Sequence, residues 1–382
     1  MPAWRPPSTT PAACCCPRPS PSWSARARSR TTTSRRRHGP PPGRGQASPR
    51  RLCRPPLNRT CAMKKTTRKA PSQTAKGRGP GLNVSSLVVH GENNYFAIDP
   101  KLATFERARF VVIQAPFDKT VTYGGGTGGG PKAIWNASQQ VELFDEITGQ
   151  QPILEHGVCT LKPLDCKCDG AEINRRIHEV ARQVVEAGKI PILVGGEHTV
   201  SFGAVKACWE KYPELSVLHI DAHSDMRDEY HGQKFNHATA AARINELCPI
   251  VQAGIRSREA FEPGHPERPV HCYHAFQYRD SGPWQDEAVS RLTRNVYLTV
   301  DVDGFDPSVF PATGTPEPGG LSWYTGLDLI ERACKARNVV GFDIVEVAPV
   351  KGSHQTEFAA ARLMGRIIAF IAGYCLQGKS AV

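Results

Sequence analysis

From Ala108 onward the chain alternates between short runs rich in Val, Ile and Leu and longer stretches whose apolar residues recur every three or four positions. Short unbroken apolar runs suit strands buried on both faces, and the longer period suits helices laid over them. The alternation therefore predicts an α/β fold with a mostly parallel sheet covered by helices. The expected strands are Arg109 to Gln114, Ile190 to Val194, Ser216 to Ile220, Val296 to Val300 and Val339 to Ile344. The clearest helix is Ala171 to Ala187, with Ile173, Ile177, Val180, Val184 and Val185 on one face. Val200 to Lys211, Thr239 to Leu247, Trp284 to Leu292, Tyr324 to Ala336 and Phe358 to Gly373 are the other expected helices. No internal repeat or second low-complexity linker interrupts the pattern, which argues for one domain over residues 91–382. The longest uncharged apolar run, Ile367 to Leu376, is about half of the ~20 residues that span a bilayer, so no transmembrane helix and no membrane partner is expected.

The first 62 residues break the pattern, holding 13 Pro and 13 Arg with almost no aliphatic periodicity. Such a composition cannot bury enough apolar surface to offset the entropy of ordering it. Residues 1–62 are therefore expected to be a disordered basic extension, and residues 63–90 a basic, flexible lead-in. The extension is rich in Arg and Ser and free of acid, as organellar transit peptides are, but its proline density would interrupt the amphipathic helix they form. The other reading is a translation start at Met63, which opens an ordinary basic N-terminus. Charge divides at the same place: 19 of the 48 basic residues and none of the 36 acidic ones precede Gly91, so a formal charge of +12 for the chain becomes −7 for the body. Nucleic-acid binding would rest on the extension alone and is not expected of the body. The 13 Cys, five of them before Met63, form no Cys-x-x-Cys pair, and Cys166 and Cys168 stand too close for the usual zinc or redox spacing. They are read as free thiols in a reducing setting.

Polar clusters follow the expected strands, where open parallel sheets place their ligand sites. Ile190 to Val194 runs into Gly195-Gly196-Glu197-His198, and Ser216 to Ile220 into Asp221-Ala222-His223-Ser224-Asp225. Val296 to Val300 runs into Asp301-Val302-Asp303, and Val339 to Ile344 on to Glu346. Asp221, His223 and Asp225, at every second position, share one face of extended backbone, and Asp301 and Asp303 repeat the spacing. Carboxylates converging on a buried edge repel one another and take up protons unless cations hold them ionised. Two divalent ions would balance these four aspartates. Four Asp and two His without Cys are hard to borderline donors that suit Mn²⁺ better than a structural Zn²⁺. The chemistry implied is a dinuclear site that holds and activates water.

The three clusters, in this order and spacing, resemble the metal signatures of the ureohydrolase family of arginases and agmatinases, and most of all those of agmatinases. Tyr123 to Pro131, Gly314 to Leu321 and Asp343 to Val347 add to the likeness, which covers about Asn93 to Gly373. The resemblance implies a three-layer α/β/α sandwich holding two Mn²⁺ per chain. His198 and Asp225 would bind the first ion, His223 and Asp303 the second, and Asp221 and Asp301 would bridge both. His237 falls on the family's proton-shuttling histidine and Glu346 on the glutamate that pairs with the substrate guanidinium. Asp225 would also relay a proton to the leaving amine. The family likeness implies a homo-oligomer, trimeric or hexameric, and a cytoplasmic location is expected.

The segment Asp225-Met226-Arg227-Asp228-Glu229-Tyr230, with His237 beside Ala238-Thr239, is similar to agmatinases rather than arginases. Agmatine, hydrolysed to putrescine and urea in polyamine biosynthesis, is thus the expected substrate, its distal ammonium met by Asp228 or Glu229. Guanidinobutyrate, guanidinopropionate and arginine stay open. So do two other classes: an amidohydrolase working through one zinc, and a non-catalytic protein with a nucleic-acid-binding tail. The chain departs from the family at Gly126-Thr127-Gly128-Gly129-Gly130-Pro131, where many relatives carry an Arg and a bulky residue. So many glycines imply either a mobile loop or a close backbone approach to a ligand.

Overall fold

The computed structural model describes residues 82–262 and 264–376, so the expectations for residues 1–62 and 63–81 lie outside the described residues. Eight strands form one sheet: β1 (Phe110–Ala115), β2 (Val158–Thr160), β3 (Ile190–Gly195), β4 (Leu215–Ile220), β5 (Ile250–Ile255), β6 (Val270–His274), β7 (Asn295–Asp301) and β8 (Asn338–Val345). Their order is β2-β1-β3-β8-β7-β4-β5-β6, and every pair of neighbours is parallel. The helices are α1 (Val84–Leu87), α2 (Gly130–Ser138), α3 (Pro152–His156), α4 (Gly170–Glu186), α5 (Ser201–Lys211), α6 (Ala240–Asn245), α7 (Pro283–Ser290), α8 (Trp323–Ala336) and α9 (Gln355–Phe370).

Helices cover both faces of the sheet, giving the expected three layers. Phe110, Val112, Ile192, Val194, Leu218, Leu298 and Phe342 pack with α2, α3, α7, α8 and α9. The alternate positions Val111, Ile113, Leu193, Val217 and Tyr297 pack with α1, α4, α5 and α6, as a side-chain period of two requires. Helix α4 shows how such an element is specified. Asp169 caps it by accepting the Glu172 N–H at 2.8 Å, its apolar stripe is fully buried, and Gly188, at φ +74°, follows its end. Each aliphatic side chain so buried contributes roughly 1.5–3 kcal/mol against ~1 kcal/mol for a cap, so packing dominates.

All five expected strands and six expected helices are present. Three strands were not legible. β2 has three residues, β6 is a half-buried edge strand rich in His and Cys, and the apolar run of β5 is interrupted by Gln252 and by Gly254, where the register with β6 shifts. The packed body also begins ahead of Gly91: Val84 and Val88 are buried, and Val84 N–H donates to Gln183 at 3.1 Å. A further difference concerns Gln355–Cys375, which is 21 residues long and, by length and composition, long and apolar enough to cross a bilayer. The uncharged run understated it because Arg362 and Arg366 break the run; both pair with acids of the 145–146 turn. Two thirds of its apolar window, 67%, is buried in the body, where Leu363, Met364, Ile367 and Ile368 line the core.

Candidate metal centre and its pocket

The four central strands, β3, β8, β7 and β4, are those whose carboxyl ends carry the polar clusters. Their neighbouring ends bring His198, Asp221, Asp225 and Asp301 together: His198 Nδ1 lies 3.0 Å from Asp221 Oδ2, 3.3 Å from Asp225 Oδ2 and 3.4 Å from Asp301 Oδ2. Beside them His223 Nδ1 lies 3.1 Å from Asp303 Oδ2 and 3.6 Å from Asp221 Oδ1. Asp221 thus turns one oxygen to each group. All but His223, which is part exposed, are buried.

The proton inventory shows what such an arrangement asks for. The Thr299 hydroxyl donates to Asp343 Oδ1 at 2.6 Å, so its oxygen can only accept from His198 Nε2 at 2.9 Å. In the neutral ring His198 Nδ1 is then left with a lone pair and no hydrogen bond, although three carboxylate oxygens face it. Acceptors crowded on acceptors are what a cation resolves. Spacings of 3.0–3.4 Å also match the ~3 Å between adjacent donors of an octahedral ion with bonds of ~2.1 Å. His219, two residues before Asp221, joins the same buried cluster. Gln252 Nε2 donates to His219 Nδ1 at 3.0 Å and to the Ser224 carbonyl at 2.7 Å. His219 Nε2 therefore carries its proton toward Asp221 Oδ2, 2.8 Å away, and orients that carboxylate from outside the donor set.

Charge tells the same story. Burial opposes charge on His198, yet the facing carboxylates of Asp221, Asp225 and Asp301 hold it well above the usual imidazole range. Against burial too, Asp221 and Asp303 push His223 up to about 12. Asp301 is raised well above the carboxylate range by burial and by Asp303 and Asp221. Asp303 is raised by burial and Asp221. Asp221 goes the other way, since His219, His198 and His223 together outweigh its burial. Protons shared between imidazoles and carboxylates occupy the balance that ions would otherwise fill. Arg256 pins the surrounding loops, donating to the carbonyls of Asp303 and Glu317 at 2.6 Å and of Gly254 at 2.9 Å.

Asp225 does not arrive by the expected alternation. Its φ is +52° and that of Glu346 is +64°, a left-handed backbone that side chains other than Gly rarely adopt. The extended run from Asp221 ends there, and the reversal brings its carboxylate back to the cluster. Glu346 Oε1 accepts the His198 N–H at 2.7 Å. Burial, together with Glu197 and Asp303, raises its carboxyl well above the usual range despite that bond, and a paired guanidinium would lower it again.

Above the cluster opens a cavity of about 300 Å³. His223, Asp225, Asp301, Asp303 and Glu346 form its floor, and His237, Thr122, Tyr230, Glu259 and Glu262 its walls. His237 starts the turn before α6, and burial lowers its pKa. Asp228 and Glu229, the acids expected at the substrate's ammonium, do not line the cavity. Asp228 faces solvent and pairs with Arg243 at 2.7 Å, so the acids at the mouth are Glu259 and Glu262. A Cβ on Gly124 would stand 2.7 Å from the Gly314 carbonyl and one on Gly130 2.6 Å from the Val347 carbonyl; the close approach is to the protein's own backbone. Sequence reasoning missed His219, Thr120, Thr122, Glu259 and Glu262. Stepping the strand period back from Asp221 reaches His219, and Thr120 and Thr122 repeat the two-residue spacing of the ligand clusters. Glu259 and Glu262, on an irregular loop, had no signal.

Comparison with known proteins agrees with this geometry. The profile described as "Arginase family" matches residues 108–369. The chain is 36% identical over 295 residues to the N(1)-aminopropylagmatine ureohydrolase of Synechocystis sp., covering 72% of this chain and 96% of that protein. It is 33% identical over 278 residues to the agmatinase of Bacillus anthracis, covering 69% and 92%. The crystal structure of the agmatine ureohydrolase of Thermoplasma volcanium superposes with a TM-score of 0.67 at 33% identity, over 76% of this chain and 97% of that one.

Proposed function

The chain belongs to the arginase family, hydrolases that act on guanidino C–N bonds, and from that premise we propose that it is an agmatinase using two Mn²⁺ to convert agmatine and water to putrescine and urea. The observation that carries the reading is the convergence of six His and Asp donors beneath one cavity, four of which share its floor with Glu346. His198 and Asp225 would hold one ion and His223 and Asp303 the other, with Asp221 and Asp301 shared. When bound, the ions supply a water whose pKa is brought toward neutrality, a nucleophile strong enough for a resonance-stabilised guanidinium. Glu346 would hold the planar cation by charge-assisted hydrogen bonds and fix its carbon over the floor. Asp225 would pass a proton to the departing amine, and His237, at the cavity wall, would exchange protons with solvent.

Substrate choice belongs to the mouth. Glu259 and Glu262, which line the cavity, would meet the distal ammonium of agmatine. Two carboxylates, together with the name of the Synechocystis relative, also favour a second reading in which the tail is the longer, doubly cationic one of N(1)-aminopropylagmatine. The reading extends to a homo-oligomer in the cytoplasm, on family likeness. Urea release by the Mn²⁺-loaded protein decides among substrates, with agmatine, N(1)-aminopropylagmatine, arginine and 4-guanidinobutyrate offered separately. Agmatine is expected to give the highest kcat/KM, and a chelator to abolish turnover until Mn²⁺ is returned. Preference for the aminopropyl compound would install the second reading, and turnover that survives thorough metal removal would overturn both.

A further inference from the structure

Glu197 is completely buried, yet it belongs neither to the donor set nor to the cavity lining. Its Oε2 accepts the backbone N–H groups of Lys119 at 2.9 Å and Thr120 at 2.7 Å. Its Oε1 accepts the hydroxyls of Thr120 at 2.6 Å and Thr199 at 2.7 Å. Four donors converging on two oxygens is a cradle for an anion. From there the contacts lead to His237: Thr120 Oγ1 stands 3.2 Å from His237 Nδ1 and 3.2 Å from the His237 backbone nitrogen.

A hydroxyl has one proton, and a carboxylate can only accept. The Thr120 proton is therefore committed to Glu197, and its oxygen accepts both from the His237 backbone N–H and from Nδ1–H. The neutral ring is thereby held with its proton on Nδ1 and its lone pair on Nε2, which lies 2.8 Å from Thr122 Oγ1 at the cavity wall. Tyr230 packs edge-on against the ring at 5.8 Å between centroids. The charged or titratable groups facing it are Asp225, Glu197, His223 and His198.

We propose that Glu197 and Thr120 form a relay that positions His237, fixing its tautomer and aiming Nε2 into the cavity. A proton accepted at Nε2 leaves the Nδ1–H bond to Thr120 intact and places a positive charge one hydroxyl away from the buried carboxylate. Giving the same proton to water restores the neutral ring. A base oriented by a third group is a recurring device in proton-transfer sites; here the orienting carboxylate acts through a threonine, and its own hydrogen bonds come from Lys119, Thr120 and Thr199. The proton-transfer part of this inference rests on the guanidine hydrolysis proposed above, whereas the tautomer does not.

Two measurements separate them. With ¹³C,¹⁵N-histidine in the full chain, carrying diamagnetic Zn²⁺ in place of Mn²⁺, His237 is expected to report the Nδ1–H form. Thr120→Val, which keeps the backbone donors to Glu197 but removes the hydroxyl, is expected to convert it to Nε2–H. In urea release, Thr120→Val should lower kcat about tenfold, less than the roughly 10²–10⁴-fold that a general acid–base group itself contributes because His237 is misoriented and not removed, with KM and bound Mn²⁺ unchanged. The His237 limb of its pH–rate profile should move to lower pH, because the charged ring has lost its link to the carboxylate, and Thr120→Ser should restore both. An Nε2–H ring in the wild-type chain, or a Thr120→Val enzyme with unchanged kcat and pH profile, would overturn the relay. If no guanidine yields urea, the hydrolytic reading fails and the wild-type tautomer alone decides the relay.

Discussion

His198 and His237 are held alike, one ring nitrogen of each tied through a threonine to a buried acid, but their surroundings differ. Around His198 every partner comes from the end of one of four adjacent strands, and the side chains of His198, Asp221 and Asp301 are at most 4% exposed. Around the mouth the partners come from loops. Glu259, paired with Arg227 at 2.8 Å, has a side chain 48% exposed. The floor is thus specified by the sheet and decides the class of reaction; the mouth is specified by irregular segments and decides what is held there. A scaffold of this kind lets the second change without disturbing the first.

That contrast can be broken most severely at the floor. Asp221→Asn removes the carboxylate that faces both donor groups, and it should lose at least one bound Mn²⁺ by elemental analysis and lower urea release at least ~100-fold, as expected when water activation depends on the ions. A smaller effect is expected one layer out. Thr299→Val leaves His198 in place but unlocks its tautomer, and Mn²⁺ affinity measured by titration should weaken about 10–100-fold while kcat at saturating Mn²⁺ is nearly kept. Smallest of all is the mouth. Glu259→Gln should raise KM for agmatine by about threefold, since a half-exposed ion pair is worth less than ~1 kcal/mol, with kcat and metal content unchanged. Equal losses of metal from the Thr299 and Glu259 variants would erase the distinction between floor and mouth.

How much of this was legible follows the same division. Strands β1, β3, β4, β7 and β8 are mainly apolar runs, and four of them deliver the site, so the floor could be read from Asp221-Ala222-His223-Ser224-Asp225 and its counterparts. Of the edge strands, β2 escaped because three residues are too few to show a pattern, and β6 because a half-covered strand need not be apolar. Asp225 reached the cluster by a backbone reversal that spacing cannot reveal. Asp228 and Glu229 were credited with the substrate's ammonium because they are close in sequence to Asp225. The chain turns them outward, and the acids that line the cavity, Glu259 and Glu262, come from a loop without periodic pattern. Gly124 and Gly130 implied a close approach, but only the fold shows that the neighbours are Gly314 and Val347.

The left-handed backbone at Asp225 and Glu346 bears on how long the folded chain lasts. An L-residue in that conformation costs roughly 1–2 kcal/mol relative to its relaxed state, and here two such positions adjoin carboxylates that repel one another when no ion is present. Loss of such ions would leave the strain uncompensated beyond the carboxyl ends of β4 and β8, while their binding would stabilise the folded form by mass action. The metal-depleted chain is consequently the form with the shorter thermal and proteolytic lifetime, and the supply of metal governs how much folded protein persists as well as how fast it works.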